Sequence, residues 1–295
     1  MSEPALVENW SGKDVAVGSI ERELARLLVA SHDDNSSPAL RTSVMTHLAW
    51  VPPRWLDVAR ETLAGMGERH PSRTIILVPH PRSRESRIDA QLAVECYSLR
   101  DASRSVCSEV VEVHLHGDRA AWPASVVEPL LISDLPVFCR WRGQPPFEAQ
   151  ELEQLVSVAD RLIVDSSEWD TLPDAYAQLA GLFDELAVSD LAWARSRLWR
   201  GQVAALWPSI ADARTLRVKA PYADALLLAG WLRSRLGRPE LELEHEDANE
   251  VAAISIDGED VEPAPGVRPT GSDLLSAELD RLARDPVYEA AVLAA

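Results

Sequence analysis

The sequence predicts an α/β protein built on a mixed, mostly parallel sheet, and three observations carry that prediction. Short apolar runs at Thr74 to Val78, Val137 to Cys139 and Leu162 to Val164 alternate with helical patterns, the order that builds strand–helix–strand units with right-handed crossovers. Two of these runs break abruptly into polar residues: Arg140, Trp141 and Arg142 after the first, Asp165, Ser166, Ser167 and Trp169 after the second. Ligands and partners of open α/β sheets sit beyond the carboxyl ends of such strands. The third observation is a pair of alternating stretches whose register can be derived. A turn between Asp101 and Ala102 pairs Cys96 with Cys107, Leu92 with Val111, Ala90 with Val113 and Ile88 with Leu115, apolar on apolar. Only Glu109, opposite Val94, breaks the pattern. The expected feature is an antiparallel hairpin on the edge of the otherwise parallel sheet.

The remaining elements follow in order. Ser19 with Glu21 and Glu23 reads as the cap of an amphipathic helix to about Val29, and His32 to Ala39 as a linker. Thr42 to Trp50 reads as a strand, Pro52 and Pro53 open a helix to about Glu68, and Pro79 and Pro81 end the strand at Thr74 to Val78. Helices are predicted at Ala120 to Leu131, Glu148 to Ala159 and Pro173 to Leu186, and a long one from Ser189 and Asp190 to about Trp207, stopped by Pro208. The first domain, residues 1–210, is thus a Rossmann-like α/β fold with an N-terminal helix. Residues 211–295 read as a smaller α+β domain: a strand at Thr215 to Lys219, a helix at Tyr222 to Leu236, strands at Glu240 to Glu246 and Glu250 to Ile256, a loop at Glu259 to Gly271, and a terminal helix from Asp273.

Composition narrows the function. A formal charge of −18 over 295 residues disfavours a nucleic-acid or anionic-membrane surface, both of which need clustered cations. The start MSEPALVENW has neither a basic stretch nor an apolar core, no apolar run approaches a membrane span of about 20 residues, and three cysteines fit a reducing compartment. A soluble, cytoplasmic protein is expected, with no nucleic acid and no membrane as partner.

The motifs point away from the common enzyme chemistries. Gly65 and Gly67 end a helix rather than follow a strand, so no phosphate-cradling glycine loop is formed, and no cofactor is expected. His114 and His116 share a strand face with Asp89 opposite His114, but a third soft ligand is not visible; a solvated outer face is expected and no metal. Cys96 and Cys107 are close enough for a cross-strand disulfide, a redox pair, but the reading preferred is two reduced core cysteines, with Cys139 in the core as well. Trp193, Trp199 and Trp207 lie on one predicted helix with Arg195, Arg197 and Arg200. Packing against the sheet explains much of that stripe, and the rest suits a partner surface, because Trp and Arg dominate interface hot spots.

Taken together, RTSVMTHLAWVPPRW, GERHPSRTIILVPHPR, VCSEVVEVHLHG, VVEPLLISDLPVFCRWRG, DRLIVDSSEW, DLAWARSRLWR and ALLLAGWLRSRLG, in this order and spacing, strongly resemble the OpcA family of glucose-6-phosphate dehydrogenase assembly proteins. The resemblance implies a non-enzymatic protein that binds and activates glucose-6-phosphate dehydrogenase and so raises NADPH supply through the oxidative pentose phosphate pathway. Cyanobacterial members are associated with redox control through cysteines, which the resemblance does not place on Cys96, Cys107 or Cys139. The partner surface expected combines Arg140, Trp141 and Arg142 with Trp193, Arg195, Arg197, Trp199 and Arg200. The alternative is a small-molecule enzyme or sugar-phosphate sensor whose strand-end crevice is lined by His80, Arg82, Arg140, Arg142, Asp165 and Ser166.

Overall fold

The computed structural model describes residues 5–33, 39–40, 43–64, 66–98, 105–263 and 268–295, in two compact units that divide at Leu162/Ile163. The first unit contains β1 (Ala5–Gly12), α1 (Val17–Asp33), β2 (Ala39–Leu40), β3 (Met45–Trp50), α2 (Leu56–Leu63), α3 (Met66–Arg69), β4 (Ser72–His80), β5 (Ile88–Ser98), β6 (Ser105–His116), α4 (Ala124–Val127), β7 (Val137–Trp141), α5 (Gln150–Val156) and the start of β8 (Arg161–Val164). Its strands follow the order β1-β5-β6-β4-β3-β7-β8, with β2 beside β6. The mixed, mostly parallel sheet is therefore present: β3 runs parallel to β4 and β7, and β4 parallel to β6.

The hairpin register agrees pair for pair, including Cys96 with Cys107, Val94 with Glu109 and Asp89 with His114. Its position differs. β1, which the sequence reading did not anticipate, pairs antiparallel with β5 and forms the edge, and β6 lies inside the sheet. Glu109, the one mismatch in the pattern, is buried and accepts from Arg73 Nε at 2.5 Å, while Arg73 Nη1 donates to the Leu130 carbonyl at 2.7 Å. A buried charge is tolerable when it is paired in this way. Cys96 and Cys107 form a disulfide, not two thiols, because the register places their Cα atoms 4.1 Å apart. Cys139 is buried as expected, and its burial pushes the thiol up to about 12. The turn at Asp101 and Ala102 and residues 34–38 lie outside the described residues.

Several helices are shorter than their sequence pattern. Ser19 lies inside α1, where its Oγ accepts from Arg22, so it is not the cap. The segment from Ala120 to Leu131 breaks into turns around α4, since Pro123 and Pro129 lack the N–H donors a continuous helix needs. β4 continues through Pro79 to His80, near the end of its pairing with β6.

The second unit holds the end of β8, α6 (Asp174–Ala180), β9 (Ala187–Asp190) next to β8, α7 (Leu191–Arg195), α8 (Arg197–Ala205), β10 (Thr215–Ala220), α9 (Tyr222–Leu236), β11 (Glu242–Asp247), β12 (Ala253–Ile256), β13 (Glu259–Asp260), α10 (Gly271–Leu279) and α11 (Pro286–Leu293). The long helix expected from Ser189 is instead a strand followed by two helices. Ser189 and Asp190 belong to β9, Asp190 caps α7 by accepting from Ala192 N, and Ser196 separates α7 from α8. Within this unit α6 packs on α11, and α7 on α9 and α10. A small sheet, β11-β10-β12-β13, completes this unit.

Every residue of α9 from Ala223 to Leu232 is buried, as an all-round apolar helix requires. Gly237, at φ 64°, ends it in the left-handed conformation that glycine adopts without strain. Gly230 lets α11 approach closely: a Cβ there would collide with the Ala291 carbonyl and lie 2.8 Å from Ala295 N. Gly230→Ala is expected to lower unfolding free energy by about 1–3 kcal/mol through overpacking. A urea titration checks this, and an unchanged midpoint would show that α9 and α11 are not tightly packed.

Candidate functional site

The strand-end crevice expected from the sheet exists in the first unit, and register explains its shape. Trp50, the last residue of β3, pairs with Leu77 and with Trp141 at the end of β7. Val78, Pro79 and His80 then carry β4 onward beside His114, Leu115 and His116 of β6. The sheet edge is thus stepped. Above the lower step lies a cavity of about 870 Å³, bordered by Trp50 and Trp141, by His80 and His116, and by the loops that follow each strand. Trp50 and Trp141 stack with ring centroids 4.9 Å apart. Two glycines turn those loops: Gly117, at φ 57°, where a Cβ would stand 2.8 Å from the Glu85 carbonyl, and Gly143, at φ 77°.

Three arginines line this crevice, Arg54, Arg82 and Arg142. Arg54 and Arg142 both lie over one indole, with guanidinium carbons 5.9 and 4.7 Å from the Trp55 ring centroid. His80, Arg82 and Arg142 are therefore placed as the crevice reading expects. Arg140 is not, since it is buried within β7 and donates to the Trp141 carbonyl. Trp141 is also buried, 2% exposed, so neither presents the partner surface assigned to it, and Arg142 is the half-buried member of that trio. The strand runs two residues further than its apolar run suggested, which draws both side chains inward. Arg54 and Trp55 were missed because they follow prolines in what reads as an ordinary helix start.

Beside the crevice three histidines stack. His80 Nε2 and His114 Nδ1 lie 2.9 Å apart, and the His80 and His116 centroids are 4.6 Å apart. The column ends on Glu112, whose Oε1 lies 2.9 Å from His114 Nε2 and which accepts two bonds from Arg60. Burial, and then the neighbouring His116 and His114, lower the His80 value. Burial opposes ionisation of Glu112, but the bonds from His114 and Arg60 together bring it below its ordinary value. His114 and His116 thus pack in a column rather than face solvent, and no group of three or more metal-binding side chains converges among the described residues.

Asp165 and Ser166 belong to the second unit and have internal partners. Arg195 donates to both Asp165 oxygens at 3.0 Å and to both Asp224 oxygens at 3.2 and 3.1 Å. Ser166 is fully buried, bonded to Tyr176 Oη and, through its N–H, to Asp190. Burial and the Asp165 carboxylate push Asp190 up to about 7, against its two backbone N–H donors, and burial pushes Asp224 up to about 6 despite Arg195. Asp165 and Ser166 are therefore buried side chains of a folding hub, not the crevice lining expected.

The tryptophan–arginine stripe divides in the same way. Trp193 is buried and donates to Asp285 at 3.0 Å, and Arg200 lies over its ring while bonding Ser196. These two and Arg195 hold the unit together. The outer face of α8 and the turn after it are different: Arg197 is exposed, Leu198 is 42% exposed and Trp207 63%, next to Leu206. Leu198 and Trp199 border a small groove of about 170 Å³ with Val251 and Pro269.

These features define a two-unit α/β protein that presents a basic strand-end crevice and exposed apolar side chains on α8 and in the turn after it. Residues 65–181 match the family described as the glucose-6-phosphate dehydrogenase subunit N-terminal domain, and residues 186–292 the corresponding C-terminal domain. The chain belongs to the OpcA family of glucose-6-phosphate dehydrogenase assembly proteins. It is similar to proteins named OpcA and described for the OxPP cycle: 27% identical over 178 residues to that of Synechocystis sp. and 28% over 183 residues to that of Synechococcus elongatus. Each match covers 57% of this chain, and 37% and 40% of those relatives' own lengths. Among the described residues no helix is long and apolar enough to cross a membrane.

Asp190 gives the hub a pH dependence. An acid raised from 3.8 to about 7 keeps its proton longer when folded, so its penalty is absent below about 4 and grows as pH rises toward 7. Asp190→Asn retains an oxygen for Ser166 N and Ala192 N but cannot ionise. Relative to wild type, the variant should gain stability across pH 4 to 7, by up to about 1.4 kcal/mol per pH unit. Denaturant melts of both proteins at several pH values test this, and parallel curves would contradict it.

Proposed function

We propose that this chain is a non-enzymatic assembly factor and allosteric activator of glucose-6-phosphate dehydrogenase, acting in the cytoplasm to promote NADPH production in the oxidative pentose phosphate pathway. The observation that carries this reading is the pair of family matches, whose descriptions name that dehydrogenase and which extend from residue 65 to residue 292 with a short gap. The exposed Arg197 on α8 and Trp207 in the turn after it support it, because Trp and Arg are enriched among interface anchors. We assign the partner surface to Arg197, Leu198, Trp199 and Trp207. This replaces Trp193, Arg195 and Arg200, whose side chains are engaged within the unit.

Activation then requires a difference in affinity. A partner that binds two conformations of an enzyme equally shifts nothing, so this chain must bind the more active conformation of the dehydrogenase more tightly. The acidic net charge of −18 adds long-range steering toward any basic surface on that partner.

The test uses the dehydrogenase from the same organism, assayed against substrate concentration with and without this protein. A lower apparent substrate constant or a higher turnover is expected. Leu198→Asp with Trp207→Ala should weaken the half-activating concentration by at least about tenfold, about 1.4 kcal/mol, while leaving thermal stability unchanged because both side chains are exposed. No activation together with no co-elution would overturn the reading. Activation that survives the double variant would remove α8 from it.

A further inference from the structure

The basic crevice of the first unit is not used by the partner surface assigned above, and its chemistry is specific. Arg54 and Arg142 both lie over one ring, that of Trp55, and Arg82 enters from the loop after β4. Holding cations together costs free energy unless an anion sits between them. In a chain with 47 acidic and 29 basic residues, carboxylate partners are plentiful. Yet among the described residues Arg54 and Arg82 pair with none, whereas Arg60, Arg73, Arg87, Arg195 and Arg217 each do. Two carboxylates, Asp118 and Glu151, also line the crevice, so its charge is mixed but predominantly basic.

We infer that this crevice is a binding site for a small phosphate ester. A phosphate dianion offers enough acceptor oxygens for several guanidinium groups at once, with the planar, forked geometry that arginine supplies and lysine does not. The cavity of about 870 Å³ falls within the range of roughly 300–1,000 Å³ typical of small-molecule sites. Pro53, Pro81 and the stacked Trp50 and Trp141 give its walls an apolar surface on which the rest of the ester packs. The location is the one at which open parallel sheets bind ligands, outside the carboxyl ends of β3, β4, β6 and β7. The phosphate would lie between Arg54, Arg82 and Arg142, with no bond made or broken.

The test is calorimetry on the isolated protein, which needs no dehydrogenase and so stands or falls separately from the activator reading. Adenosine monophosphate and glucose 6-phosphate are titrated beside adenosine, glucose, inorganic phosphate and sulfate. At least one ester is expected to bind, at least about tenfold tighter than its phosphate-free counterpart and tighter than sulfate. Arg54→Ala with Arg82→Ala should weaken it by at least about tenfold, with an unchanged melting temperature since both side chains are exposed. Absence of heat from both esters would overturn the inference. So would esters that bind no tighter than sulfate, which marks an unspecific anion surface, or binding that is unaffected in the double variant.

Discussion

The register of four parallel strands is the constraint on which the rest of the first unit depends. Pairing Trp50 with Leu77 on one side and with Trp141 on the other fixes where β3 and β7 stop. It also decides that Val78, Pro79 and His80 continue past that level alongside β6. A slip of one residue would reverse the faces of every side chain in a strand, placing Ile76 and Val78 outside the core they form with Ala49, Val51 and Ala59. Burial therefore sets the register, and the register sets the step in the sheet edge from which the crevice is made. Arg54 and Arg142 follow as consequences, since each lies in the loop after a strand that ends at the lower level.

The second unit depends on a different balance. One guanidinium, Arg195, bonds both Asp165 and Asp224, while Asp190 is buried with two backbone donors and a tyrosine hydroxyl, Tyr288 Oη at 3.4 Å. Removing one partner from such a network leaves an uncompensated buried charge, typically about 3–5 kcal/mol, so these residues are committed to the fold. That commitment separates the stripe of tryptophans and arginines into two sets. Trp193, Arg195 and Arg200 tie α7 and α8 to the unit, and the residues left outside, Arg197, Leu198 and Trp207, are those free to meet another protein.

Much of this was legible in the sequence, for identifiable reasons. Alternation between Ile88 and Leu115 has a period of two on both strands, and only one pairing matches apolar to apolar, so the hairpin register followed residue for residue. The helix from Tyr222 to Leu236 was legible because a proline precedes it and a glycine ends it. What was missed depends on contacts distant in sequence. β1 is defined by pairing with β5, some eighty positions away in the chain, and carries no alternation strong enough to announce itself. Arg140 and Asp165 look like site residues because they follow short apolar runs, but the partners that bury them cannot be read from neighbouring positions. Arg195 likewise reads as an interface arginine until Asp165 and Asp224 are seen beside it. The crevice itself was anticipated from strand ends alone, whereas Arg54 and Trp55 required the loop geometry.

The activator proposed above would act by choosing among the conformations of its partner, and its own surface would then change environment when the two meet. Hydrogen–deuterium exchange of this protein, alone and with a saturating amount of glucose-6-phosphate dehydrogenase, measures that directly. Slower exchange across residues 197–207 in the complex is the predicted result. Exchange there that is the same in both states, with protection confined to other segments or absent, would contradict the account.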